Sequence, residues 1–94
     1  MDELRANLYQ AARSLCSTDH DQEALSVSVE ADELSQQLIA TESDPLALAT
    51  LAWARELLVE GQQLVFEALA GNGCGTQARR VLQEAAWLLL AALL

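Results

Sequence analysis

The chain holds one histidine, His20, with Asp19 and Asp21 on either side and Cys16 four residues earlier. Imidazole, thiolate and carboxylate are the groups that bind zinc. A thiol beside a histidine is also the starting material of nucleophilic catalysis. The spacing brings Cys16 and His20 together only if a helix ending near Cys16 continues through Ser17 and Thr18. No second ligand pair accompanies this cluster. His20 therefore reads as a solvated loop residue and Cys16 as a small core residue, with no metal site.

A second candidate is Gly71-Asn72-Gly73-Cys74-Gly75-Thr76, followed by Arg79 and Arg80. A glycine-rich loop leading into a helix can hold a phosphate on its free N–H groups. Phosphate loops of that kind follow a strand and carry a lysine. This one follows a helical segment, and the chain has no lysine at all. A turn between two helices is the expected reading. No catalytic residue, no cofactor and no enzyme activity is assigned.

The acids form a third pattern. Fourteen acids oppose five arginines, for a formal charge of −9. Residues 17–45 hold eight of those acids and no arginine. Residues 1–47 carry ten acids against two arginines, and residues 48–94 four against three. Such a balance opposes direct binding to a nucleic-acid backbone. It fits either a docking face for a basic partner, built on Glu23, Glu30, Asp32 and Glu33, or a solvated face that keeps an apolar chain in solution.

The elements that must carry these residues are helices. Leucine and alanine supply 36 of 94 residues, and 52% of the chain is hydrophobic. That excludes a disordered chain, and the scarcity of Gly, Pro and aromatics excludes a sandwich or barrel. Two cysteines are too few for a disulfide scaffold. The first helix is expected over about 2–16, on the spacing of Leu4, Leu8, Ala11 and Leu15. The second covers about 19–41, with Ala24, Val27, Ala31, Leu34, Leu38 and Thr41 as its seam. Thr18 with Asp21, or Asp19 with Gln22, has the spacing that starts such a helix. Leu25 to Glu30 also alternates with period two, as a strand would, but no other segment offers it a strand partner.

Asp44-Pro45 opens the third helix, about 45–70, by a side-chain cap and a proline at the first position. Its polar stripe is Glu56, Glu60, Gln63 and Glu67. Its apolar side is Ala47, Leu51, Ala54, Leu58, Gly61, Val65 and Ala68. A glycine inside a helix costs roughly 1 kcal/mol relative to alanine. Gly61 is explained by close approach of another helix or by a tolerated kink. Gly71 or Asn72 ends this helix in the left-handed region, and Thr76 can cap a fourth helix over about 76–94. Ala78, Leu82, Ala85, Leu89 and Ala92 form its seam. The whole is expected to be a single all-α domain, 1–94: a three- to four-helix bundle with a long antiparallel C-terminal hairpin.

The third helix is expected to sit centrally, with the other three around it. The last turns of the fourth are harder to cover, because Trp87, Leu88, Leu90, Leu93 and Leu94 point in every direction. A chain this small buries only around 60–65% of its unfolded surface. A homodimer or another protein is the expected cover, with Trp53, Leu58, Gly61, Val65 and those five residues as the apolar contact set. For Trp53, the neighbours Leu57 and Leu64 on its side favour the core. Shallow membrane insertion by the tail lacks the basic flank it would need. The longest apolar run, Ala85 to Leu94, is ten residues, and a membrane span needs about 20. With no basic, apolar leader at the start, a soluble cytoplasmic protein is expected.

Residues 46–94 resemble small uncharacterised helical-hairpin regulatory proteins of pseudomonad-type bacteria. The matching residues are Ala54-Arg55-Glu56-Leu57-Leu58, then Glu67-Ala68, then Glu84-Ala85-Ala86-Trp87-Leu88-Leu89. The glycine loop and the acidic first half depart from that pattern. The resemblance implies a dimeric hairpin with a regulatory binding role, and it carries over no catalytic residue. The expected function is a small acidic protein–protein interaction module, a bacterial or phage regulator or inhibitor that sequesters another protein. The alternatives are an acidic chaperone similar to those of type III secretion, and a nucleic-acid mimic that blocks a DNA-binding protein.

Overall fold

A computed structural model describes residues 3–93. The elements are α1 (Glu3–Ser17), α2 (Asp21–Thr41), α3 (Pro45–Leu69) and α4 (Gly75–Leu93), joined by short turns. Short connections make consecutive helices antiparallel neighbours. The ring of contacts is α1–α2, α2–α3, α3–α4 and α4–α1, and α2 also touches α4 across the middle. Leu94 lies outside the described residues.

That topology corrects one expectation. The third helix is not central. It occupies a corner diagonal to α1 and makes no contact with it. Three short turns force an up-down-up-down circuit, in which no helix can have three full neighbours. The outer face of α3 is consequently open.

The helix ends follow local chemistry. The Asp44 side chain accepts the N–H of Ala47 at 3.3 Å, and Pro45 fills the first helical position. At the other end of α3, Gly71 takes φ +84°. The Asn72 N–H donates to the Glu67 carbonyl and the Gly71 N–H to Ala68, closing the helix in a Schellman turn. The start of α2 differs from expectation. It begins at Asp21 with His20 at the cap position and no side-chain cap. Neither Thr18 nor Asp19 serves there. Thr18 is buried and its hydroxyl lies 3.5 Å from the His20 carbonyl. The segment from Leu25 to Glu30 is helical throughout.

The core is built from leucine and alanine: Leu8, Ala12 and Leu15 of α1, Ala24, Ala31 and Leu38 of α2, Leu51, Ala54, Leu58 and Val65 of α3, Ala78, Leu82, Ala85, Ala86 and Leu89 of α4. Two serines join them. Ser28 and Ser35 are fully buried, and their hydroxyls donate to the carbonyls of Leu25 and Ala31, each at 2.7 Å. A hydroxyl satisfied by its own helix can enter the core without the cost of an orphaned donor. The seam of α2 is therefore Ala24, Ser28, Ala31, Ser35 and Leu38. Val27 and Leu34 are half-buried beside it, and Thr41 is exposed.

Candidate protein-docking surface

The corner position of α3 decides what is left uncovered. Leu46, Trp53, Val59, Phe66 and Leu69 are exposed large hydrophobics, all on this one helix. Trp53 is 58% exposed and Phe66 57%. The core reading of Trp53 is thus corrected: Leu57 and Leu64 on its flank are half-buried against the core, while the indole lies further round toward solvent. Glu56, Glu60, Gln63 and Glu67 share the same outer face and are exposed.

The residues expected to make apolar contact divide sharply. Leu58, Gly61 and Val65 are buried inside the chain, so they are corrected from contact surface to core. The reason is their place on the stripe of α3 that meets α4 and α2. Leu88, Leu90 and Leu93 are half-buried against the core. Trp87 alone of the described tail stands out, at 63% exposure. Leu94 cannot be placed, being outside the described residues. The uncovered apolar surface lies mainly on α3, with Trp87 as the outlier on α4.

The acidic set divides too. Glu23, Glu30 and Glu33 are exposed. Asp32 is corrected: it is half-buried and committed to Arg55, whose Nε donates to it at 2.8 Å. Its second oxygen accepts from Gln36 at 3.0 Å. Two further ion pairs tie the helix ends. Arg5 donates to Glu42 at 2.7 Å, and Arg79 pairs with Asp21. Three of the five arginines are thereby spent inside the fold. Arg13 lies over the Tyr9 ring, 5.8 Å from its centroid. The exposed acids of α2 and α3 have no free cation on either helix, since α2 contains none and α3 only Arg55.

Between α2 and α3 runs a shallow groove lined by Ile39, Ala52, Arg55, Glu56 and Val59. Arg55, one of its lining residues, is paired with Asp32. Gln62 follows Val59 by one turn on α3, and its amide nitrogen is buried without an acceptor.

The cysteine chemistry was only half legible. Cys16 is half-buried at the end of α1, and burial pushes its thiol pKa up. His20 lies exposed, with Asp19 at 3.4 Å. Among the described residues no three His, Cys, Asp or Glu side chains gather as a metal site would require. Cys74 is the residue that the sequence reading passed over. Helix α4 begins at Gly75, and the Cys74 carbonyl accepts the first helical bond, from Ala78. Cys74, not Thr76, is the cap. The backbone N–H groups of Gln77 and Thr76 hold the thiol pKa below its ordinary value, and Arg79 adds to this. The Cys-Gly-Thr-Gln order was the available signal, obscured because threonine caps more often than cysteine.

Among the described residues no helix is long and apolar enough to cross a membrane. No family model, no curated protein and no solved structure matches the chain.

Proposed function

We propose that this protein is a small acidic protein–protein interaction module, a regulator or inhibitor that sequesters another protein. One observation carries the reading. Helix α3 leaves five large hydrophobics uncovered, most of them flanking a stripe that bears Glu56, Glu60 and Glu67 without a neutralising cation. Scattered exposed hydrophobics need no explanation, but five concentrated on one helix mark a contact surface. Aromatic residues such as Trp53, Phe66 and Trp87 are the side chains that anchor such contacts.

The occupant is another protein rather than a second copy. Two chains joined through α3 would set its acids against their own equivalents, in molecules that each carry −9. The homodimer expected from the apolar surplus thus has an electrostatic cost that a basic partner does not. The reading places the protein in the cytoplasm, where an exposed free thiol such as Cys74 stays reduced.

The test is capture from the native cell on the immobilised full chain, with bound proteins quantified by mass spectrometry. One protein retained in stoichiometric amount, and still held at about 0.5 M salt where surface charge is largely screened, is the expected result. Loss of all retention at that salt would favour a purely electrostatic mimic. No retention at either salt would remove the reading.

A further inference from the structure

We propose that the groove between α2 and α3 is the docking site for a basic amphipathic helix of the partner protein. The inference rests on the reading of the chain as an interaction module and names the chemistry of what it holds.

The groove is built by register. Asp32 and Arg55 join the two antiparallel helices at its centre. Ile39 lies two turns beyond Asp32 and Ala52 one turn before Arg55, and both line the same end. Toward the other end, Val29 lies one turn from Asp32 and Val59 one turn from Arg55. Both are exposed, at 43% and 54%. Phe66 follows Val59 by another two turns. Ala52, Val59 and Phe66 therefore recur every seven residues, the spacing by which one helix seats the apolar ridge of another. From Ala52 to Phe66 the helix rises about 21 Å, enough for roughly four turns of an occupant.

Charge selects the occupant. Glu56 lines the groove, Glu60 and Glu67 follow Val59 and Phe66 on the outer side of α3, and Glu33 stands exposed next to Asp32 on α2. The one arginine within reach is turned to Asp32. Ile39, Ala52 and Val59 beside a neutralised ion pair, with exposed acids along α3, complement a helix whose leucine-type face is bordered by Lys or Arg. A second copy of this chain has little to supply that border: its two longest helices contain a single, already paired arginine, and the exposed Arg13 and Arg80 stand on α1 and α4.

The probe is a fluorescein-labelled four-turn peptide of leucine and lysine, with leucines at helical spacing, titrated against the full chain by anisotropy. A scrambled peptide of equal composition separates amphipathic fit from charge, and a peptide with glutamate for lysine separates charge from apolar contact. The ordered basic peptide is expected to bind at least about tenfold more tightly than either control. Val59→Ser with Phe66→Ser, and separately Ala52→Arg, should each weaken it by about tenfold. These positions are exposed, so helicity by circular dichroism should be unchanged. Gln10→Ser, exposed on α1 across the bundle from α3, should leave binding as it was.

Equal binding of the scrambled peptide would overturn the proposal, as would wild-type binding by both groove variants. So would equal loss in the Gln10 variant, or a dimer that Val59→Ser with Phe66→Ser dissociates. If cellular capture succeeds but is insensitive to the groove variants, the module reading stands and the groove falls. If capture returns nothing while the peptide pattern holds, the groove chemistry stands and the module reading falls.

Discussion

Gly61 of α3 is seated against Leu82 of α4. A Cβ added at Gly61 would lie 2.6 Å from Leu82 Cγ, closer still to Cδ2, and 3.4 Å from the Leu82 backbone nitrogen. Both residues are fully buried. The glycine is therefore the contact point of the hairpin rather than a kink. Alanine would recover roughly 1 kcal/mol of helix propensity. Overpacking a closed core costs about 1–3 kcal/mol, and a leucine hemmed in on all sides has nowhere to move. Gly61→Ala is expected to destabilise by about 1 kcal/mol net. Urea unfolding followed by circular dichroism measures this, and a higher midpoint in the variant would contradict it.

Cys74 and Cys16 should separate by reactivity. The N–H groups of Gln77 and Thr76 favour the Cys74 thiolate, whereas burial disfavours that of Cys16. The rate of iodoacetamide alkylation should rise with pH earlier for Cys74 than for an unstructured cysteine, and later for Cys16. Peptide mapping after timed quenching assigns the sites. Cys74→Ser should keep the cap and abolish the early phase.

Glu42 makes stability depend on acid. The N–H groups of Asp44 and Ser43, and then Arg5, hold its carboxyl below its ordinary value near 4.5. A carboxylate depressed in the folded state adds stability that is complete above its unfolded value and is lost as pH falls through the folded one. Unfolding midpoints should therefore drop below about pH 4.5. Glu42→Gln should flatten that limb, and an unchanged slope would show that other carboxylates dominate it.

Gln62 should be replaceable at a gain. Its amide nitrogen is buried with no acceptor, and such an orphan costs about 1–3 kcal/mol. Methionine has a similar volume and brings no donor. Gln62→Met is expected to stabilise by up to about 1 kcal/mol, read as a raised thermal midpoint. A lowered midpoint would mean that the amide is satisfied in solution.

Both tryptophans should report on an uncovered surface. Trp53 and Trp87 are more than half exposed, so the isolated chain should emit at the red end of the tryptophan range and be quenched readily by acrylamide. Single Trp→Phe variants resolve the two. A blue-shifted, protected signal that depends on protein concentration would reveal a homodimer covering them.

Local sequence determined the helices themselves. Asp44-Pro45 and Gly71 punctuate the chain through cap, fixed φ and positive φ, all properties of single residues, and the structure uses each at its place. That Leu51, Ala54, Leu58, Gly61 and Val65 share one face followed from period alone, but that this face is core rather than contact surface was decided by the packing of its neighbours against it. Tertiary structure decided which helix was left uncovered. Short turns set a ring of four, and the ring put α3 at a corner and exposed Trp53, Val59 and Phe66. It also brought Asp32 to Arg55 and Asp21 to Arg79, pairs far apart in sequence that no spacing rule connects. Ser28 and Ser35 entered the core for the same reason. Once α2 packed against α1 and α3, small side chains with self-satisfied hydroxyls fitted the core, and the larger Val27 and Leu34 stayed half-buried beside them.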